Sequence, residues 1–462
     1  MTIASAGYSI TMRVFVPPED STAVGRITTA VGDAGGVVTA LDFVEAEAEH
    51  MTVDMTANAR DVDHAADISE AVEALDGISV HHVSDRTFLI HLGGKLEVRS
   101  RVQLRTRDQL SMAYTPGVAR VCTALAERPQ DAHNLTIKGN TVAIVTDGSA
   151  VLGLGNIGPI AAMPVMEGKA ALFKRFANVD AWPICLDTQD PDEIVRAVEL
   201  IAPGFGGVNL EDIAAPQCFE IEARLRESLD IPVFHDDQHG TAIVVLAALT
   251  NALKVVGKDF ADVRVAMSGA GAAGVAIAKI LKEENVGDIV AVDSRGIISS
   301  DREFTDASKI WMQQNTNDHD RSGGILDALD GADVFVGVSA ADLFDAQEIA
   351  RMADEPIVFG LANPDPEFNP EAARNYATVV ATGRSDFPNQ INNVLAFPGV
   401  FRGALDARAT SITDAMNVAA ARAIAAVVRD DQRHANYIIP SVFNVEVADE
   451  VAKAVRVAAV GG

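Results

Sequence analysis

A short apolar strand that runs straight into a glycine turn and then into a helix constrains this chain more than any other feature. Val263–Met267 is followed at once by Ser268-Gly269-Ala270-Gly271-Ala272-Ala273-Gly274, and an amphipathic stretch, Val275–Leu281, comes next. This is GxGxxG in the context that gives it meaning: strand, tight turn, helix. Gly269 permits the turn, Gly271 lets backbone amides approach a pyrophosphate, and Gly274 lets the helix pack closely on the strand. Ala272 and Ala273 complete the same cofactor-binding turn, and the free N–H groups of the helix N-terminus face the phosphates. A second strand, Asp288–Val292, ends in Asp293, at the separation where an acid accepts hydrogen bonds from the adenosine ribose. A carboxylate there repels a 2′-phosphate, so NAD is the expected cofactor. Arg295, two residues on, can pair with that phosphate instead, which keeps NADP as the alternative.

Two acidic pairs carry the second signal. Gly207–Leu210 reads as a strand ending in Glu211 and Asp212, and a strand from Ile231 ends in Asp236 and Asp237, before a glycine that opens a helix. Strand C-termini in α/β folds are where ligands bind. Four carboxylates gathered there repel one another unless a cation neutralises them, and oxygen ligands suit Mg²⁺ or Mn²⁺ rather than zinc. Each pair alone is equally well a solvated loop or a helix cap; the two together favour the metal.

Two single residues stand out. Tyr114 precedes the Pro116-Gly117 bend, and Lys169 sits in an apolar helical stretch followed by Ala170-Ala171-Leu172-Phe173. A lysine on an apolar face loses its charge readily, which is how a general base is made. Taken singly, each is also what a packed tyrosine and a snorkelling lysine look like.

Composition excludes several classes. Lys+Arg number 37 against 65 Asp+Glu, a net charge of −28, so a nucleic-acid ligand and an anionic membrane surface are both disfavoured. The three cysteines, Cys122, Cys185 and Cys218, form no CxxC pair, which fits a reducing cytoplasm. The start has no signal-peptide pattern, and no run reaches the roughly 20 apolar residues of a membrane span. A soluble, cytoplasmic protein is expected.

The first ninety-odd residues read as a unit of their own. Strands are expected at Ser9–Val16, Val37–Val44, Met51–Thr56, Ser79–His82 and Thr87–His91, with helices at Thr22–Gly32 and Asp63–Leu75. The order βαββαβ is that of a ferredoxin-like fold. It resembles an ACT domain, a module that commonly binds an amino acid or mediates subunit pairing, and Gly35-Gly36 suits that resemblance. The DxPG-type turn of many such domains appears only as Pro17-Pro18-Glu19-Asp20. The polar stretch Arg99–Asp108 leads into a main body of alternating strands and helices, the α/β pattern.

Together the motifs resemble a bacterial-type malic enzyme: SMAYTPGVA, the run Thr146–Gly158, MPVMEGKA, NLED, FHDDQHGTA, SGAGAAG, LANPDPE and NNVLAFPGVFRGALD, in that order. The resemblance implies oxidative decarboxylation of (S)-malate to pyruvate and CO2 with NAD or NADP and a divalent metal. It implies Lys169 as general base, Tyr114 as general acid, and Glu211, Asp212 and Asp237 as metal ligands with Asp236 tuning the site. Asn363 and Asn393 match amides that contact malate, Asn363 also near the nicotinamide ribose. It further implies a homodimer or homotetramer. One departure is Ala150, where the larger eukaryotic-type enzymes carry an arginine that grips a malate carboxylate. The malolactic reaction, malate to lactate with NAD retained, shares these motifs.

The expected architecture has three parts: an ACT-like regulatory or pairing domain over residues 1–95, a malate- and metal-binding α/β domain over 96–237, and a Rossmann-type domain with C-terminal helices, among them Ala409–Arg429, over 238–462.

Overall fold

The computed structural model describes residues 4–47, 50–151 and 153–461, so Leu152, inside the Thr146–Gly158 run, lies outside the described residues. The chain divides into two units, one ending at Val98 and one beginning at Arg99.

The first unit is built from β1 (Ser5–Val16), α1 (Ala23–Asp33), β2 (Val37–Ala46), β3 (Met51–Ala59), α2 (Val62–Glu73) and β4 (Ser79–Asp85). Its sheet order is β2-β3-β1-β4, and every pairing is antiparallel. Alternation places Ile10, Met12, Val14 and Val16 on the buried face, where Ile27 and Val31 of α1 and Ile68 and Val72 of α2 cover them. The βαββαβ order with this pairing is the ferredoxin-like arrangement. One expectation fails. Thr87–His91 does not form a closing strand but lies in helix α3 (Arg86–His91). The Asp85 carboxylate accepts hydrogen bonds from the N–H groups of Thr87 and Phe88 at 2.7 and 3.3 Å, so β4 ends on a helix cap.

The second unit opens with two exposed helices, α4 (Arg107–Ala113) and α5 (Val118–Glu127). A parallel sheet follows from β5 (Thr141–Thr146), β6 (Asp180–Cys185), β7 (Gly207–Leu210) and β8 (Val233–His235), in the order β6-β5-β7-β8. Helix α6 (Gly158–Ala177) buries Ala162, Met166, Lys169, Ala170, Phe173 and Ala177, one face of a 3.6-residue period. A π-turn over Asp236–Gly240 leads into α7 (Thr241–Val256), which is apolar on nearly every side and accordingly buried.

The stretch Asp236–Val256 corrects the reading that no run is long and apolar enough for a membrane span. It meets that test by length and composition, but 72% of its window is buried inside the protein, as befits a core helix. Beyond it stand β9 (Arg264–Ser268), α8 (Ala272–Glu283), β10 (Asp288–Asp293), β11 (Gly296–Ile297), α9 (Ala307–Asn315), β12 (Val334–Gly337), β13 (Ile357–Gly360) and β14 (Val379–Thr382). The sheet order is β11-β10-β9-β12-β13-β14, parallel except at β11.

Strand order reverses between β9 and β12, the switch point at which such sheets open a ligand crevice. The helix expected over Ala409–Arg429 begins later, as α11 (Asp414–Val427) after α10 (Phe397–Ala407), because the Thr413 hydroxyl caps it by accepting from the Met416 N–H. One core runs from Val142 and Ile144 through α7 to Val265 and Met267, so the two sheets share their packing.

Candidate active site

The ends of two neighbouring parallel strands assemble the acidic cluster. Leu210 of β7 lies opposite His235 of β8, so the residues that follow, Glu211-Asp212 and Asp236-Asp237, leave the sheet side by side. Ligand oxygens of Glu211, Asp212 and Asp237 lie within 4.8 Å of one another. Lys169 reaches the cluster from α6; its Nζ donates to Glu211 Oε1 at 2.9 Å and to Asp236 Oδ2 at 2.5 Å, and sits 4.0 Å from the centre of the Phe397 ring. Asn393 Nδ2 donates to Asp236 Oδ2 at 3.0 Å, and Asn209 Nδ2 to Glu211 Oε2 at 2.8 Å. The Ala150 N–H donates to the Asp212 carbonyl at 3.0 Å, which sets the segment lacking the arginine directly against the cluster.

Charge in this pocket is tightly coupled. Burial pushes the Glu211 carboxyl well above its ordinary range, against the pull of Lys169, and burial together with Asp237 pushes Asp212 up to about 8. Burial alone would lower the Lys169 ammonium, but the carboxylates of Asp236 and Glu211 outweigh it and hold the amine above the usual lysine range. The expectation of an apolar face around Lys169 is corrected: two carboxylates face it. The donor set fits a hard divalent cation such as Mg²⁺ or Mn²⁺. Asp212 Oδ2 is buried without a hydrogen-bond partner among the described residues, and Asp212 itself takes a left-handed backbone, φ +54°.

The dinucleotide turn is built as its sequence requires. Gly269 has φ +111°, and a Cβ there would lie 2.7 Å from the Val338 carbonyl; one at Gly274 would lie 1.9 Å from the Gly269 carbonyl. Gly271 is the N-cap of α8, whose first residues are Ala272 and Ala273. Gly269, Gly271 and Asp293 line a cleft of about 760 Å³ together with Ser339 and Lys309. Helix α8 packs against the Asp236–Gly240 turn, which joins this cleft to the acidic cluster. The Asp293 carboxylate is gripped by Arg302 at 2.9 and 2.8 Å and by Lys309 at 3.2 Å. Burial opposes its ionisation, but these partners and the Arg295 N–H bring it down to about 2.

The other expected residues are placed differently. Asn393 belongs to the cluster through Asp236. Asn363 is exposed on the loop after β13, its carbonyl packed close to Gly153. Tyr114 stands apart: it is 70% exposed, and its side chain makes none of the hydrogen bonds that tie Lys169, Glu211, Asp236 and Asn393 together.

Several supporting groups escaped the sequence reading. Glu222 is buried on α-helical Gln217–Ser228 and accepts from His239 Nε2 at 2.9 Å, Gln238 Nε2 and the His235 N–H, bracing the acidic turn. Glu367 is fully buried and accepts from the N–H groups of Ser339 and Ala362 at 2.9 and 3.1 Å. It thereby ties the loops after β12 and β13, while Ser268 and Ser339 share a 2.6 Å hydroxyl contact. The position of Glu367 within LANPDPE was its only signal. Arg302 and Lys309 lie in a loop and an ordinary helix start and gave none.

Fold and site define a dinucleotide-binding α/β protein in which a helix sets a buried lysine among carboxylates at the strand ends of another parallel sheet. Two family models match the chain in succession, "Malic enzyme, N-terminal domain" over residues 93–226 and "Malic enzyme, NAD binding domain" over residues 238–460. The chain belongs to the malic enzyme family.

It is 54% identical over 456 residues to an NAD-dependent malic enzyme of Geobacillus stearothermophilus, covering 98% of this chain and 95% of that one. It is 55% identical over 368 residues to a bifunctional malic/malolactic enzyme of Bacillus subtilis, covering 79% and 90%. Among solved structures, an NAD-dependent malic enzyme from Thermotoga maritima is 47% identical with a TM-score of 0.78, covering 81% of this chain and 99% of that one.

Proposed function

We propose that the protein oxidises malate at C2 and decarboxylates the product to pyruvate and CO2, with NAD as the preferred hydride acceptor. The carrying observation is the junction of two sites: Lys169 among Glu211, Asp212 and Asp237, on a turn packed against the helix of the glycine-rich cleft. Glu211, Asp212 and Asp237 would hold the divalent cation, which when bound polarises the C2 oxygen of malate, while bound NAD accepts the hydride. Glu211, once engaged on the cation, would hold the Lys169 ammonium less tightly, and the amine, once deprotonated, takes the hydroxyl proton from C2–OH as hydride departs. After CO2 leaves, Tyr114 returns a proton to C3 of the enolate, so one proton is taken, one given, and NADH forms. Asp236, itself held by Asn393, fixes the lysine together with Glu211. Asn393 and Asn363 are the amides assigned to malate, Asn363 also to the nicotinamide ribose. Gly269, Gly271, Ala272, Ala273, Gly274 and Asp293 are assigned to the dinucleotide. The test is NADH formation from malate and Mn²⁺, matched by pyruvate and abolished by EDTA.

A homodimer or larger assembly is part of this reading. Leu110, Met112, Tyr114, Leu135, Ile137 and Ile160 are half or more exposed, an apolar load on one stretch of chain that favours a second copy as its cover. Such cover would also withdraw Tyr114 from bulk water, as a proton donor requires.

The first unit is proposed to be ACT-like, serving pairing or small-molecule regulation. Its strand order supports the kinship, and a cavity of about 450 Å³ lined by Tyr8, Ile10, Ser69, Glu70 and Asp85 supports regulation. A melting-temperature shift with an amino acid, beyond that with malate and Mn²⁺, tests it.

A further inference from the structure

A carboxylate at the end of the second dinucleotide-fold strand excludes a 2′-phosphate when its charge is bare. That of Asp293 is not. Its Oδ1 accepts from the Arg295 N–H and from Arg302 Nη2, both at 2.9 Å; its Oδ2 accepts from Arg302 at 2.8 Å and from Lys309 at 3.2 Å. The cations are themselves held in place. The guanidinium of Arg302 lies 4.8 Å from the centre of the Phe304 ring, that of Arg295 5.8 Å away and the Lys309 ammonium 5.9 Å, so three positive charges gather about one aromatic ring. Two cations, Arg302 and Lys309, thus hold Asp293, and among the described residues the one other carboxylate lining this cleft, Asp306, is occupied as a helix cap by the N–H and hydroxyl of Ser308. Arg302 is nearly buried at 16% side-chain exposure and Lys309 is partly open at 29%, the pairing of a fixed fork with a mobile point charge that phosphate sites use.

We infer that Arg302 and Lys309, seated on Phe304, form a 2′-phosphate-accepting subsite that Asp293 holds closed, so that a single carboxylate decides between NAD and NADP. The inference rests on the dinucleotide reading of the cleft and adds the residues that set its preference. Both cations are within hydrogen-bond reach of the Asp293 oxygens, the place where a ribose 2′-substituent would be met. Removing the carboxylate charge loosens its hold on Arg302 Nη2 and Lys309 Nζ, the two donors a phosphate would use.

The test is calorimetric titration of the full chain with ADP and with adenosine 2′,5′-bisphosphate, comparing the unaltered protein with Asp293→Asn. The expected result is that affinity for the 2′,5′-bisphosphate relative to ADP rises by at least about tenfold, the size of one or two charge-assisted hydrogen bonds. Adding Lys309→Met to Asp293→Asn should remove most of that gain. In the unaltered background Lys309→Met, at a partly open position, should weaken the 2′,5′-bisphosphate more than ADP. An equal change for both nucleotides in these variants, or no change, overturns the inference while leaving the cleft's role intact. Failure of every form to bind either nucleotide overturns the dinucleotide reading with it.

Discussion

Lys169 makes its shortest hydrogen bond, 2.5 Å, with Asp236, a carboxylate outside the proposed cation-ligand set, and a longer one, 2.9 Å, with Glu211, which is inside it. The amine is thus shared between the cation's coordination and a fixed counter-charge. Asp236 in turn is steadied by Asn393 at 3.0 Å. Lys169→Ala should therefore lower the rate of NADH formation by about a thousandfold, within the range of a lost general base. Binding of NAD, followed by calorimetry, should stay close to that of the unaltered protein. Near-normal turnover would remove Lys169 from the role given to it.

Tyr114→Phe should act later in the reaction. Pyruvate formation should fall by about a hundredfold, with Mn²⁺ affinity almost unchanged. The diagnostic is added oxaloacetate: the variant should be slow to convert it to pyruvate even though malate oxidation need not be involved.

The cation set makes a separate prediction. Asp212→Asn and Asp237→Asn should each weaken Mn²⁺ binding by more than the roughly 10–100-fold that loss of an outer partner costs. Titration calorimetry in the absence of malate reads this directly. Asp236→Asn should disturb the rate more than the Mn²⁺ affinity, because Asp236 faces the lysine.

Assembly is open to a simple probe. Ile160, 89% exposed on the helix that carries Lys169, should tolerate no charge if a second copy covers it. Ile160→Glu should yield a monomer by light scattering and a poorly active enzyme, with NAD affinity retained. An unchanged oligomer would place the interface elsewhere.

Asp293 predicts a pH signature. Its folded-state carboxyl lies near 2, below the ordinary value of about 3.9. A depressed acid stabilises the fold above its unfolded value and loses that contribution as pH falls toward its folded one. The unaltered protein should therefore exceed Asp293→Asn in stability by about 1–2 kcal/mol at neutral pH, after discounting for solvent screening. The gap should narrow between about pH 4 and pH 2. Paired chemical denaturation series across that range would show it.

Much of this site was legible in the sequence, because its chemistry sits where strands end. Gly269, Gly271 and Gly274 are demanded by contacts a Cβ could not survive, and Glu211, Asp212 and Asp237 follow directly on short apolar strands that parallel pairing lays side by side. What sequence could not supply was the partner of each charge. Lys169 looked like an amine in an apolar helix because its two carboxylates lie 42 and 67 residues away. Thr87–His91 alternated like a strand, yet one capping carboxylate, Asp85, made it helical. The grip of Arg302 and Lys309 on Asp293 likewise depends on loop geometry that no spacing rule encodes. Asp236–Val256 was passed over because its apolar run is interrupted by polar side chains at the catalytic turn, although the helix beyond it is core.

The central claim is that the buried lysine cluster and the glycine-rich cleft form one catalytic site for oxidative decarboxylation of malate. Absorbance at 340 nm with L-malate, Mn²⁺ and NAD, followed by pyruvate assay on the same sample, tests it most directly. The account predicts NADH and pyruvate in equal amounts, both abolished by EDTA. Lactate accumulating without NADH, or no product at all from the fully metal-loaded protein, would contradict it.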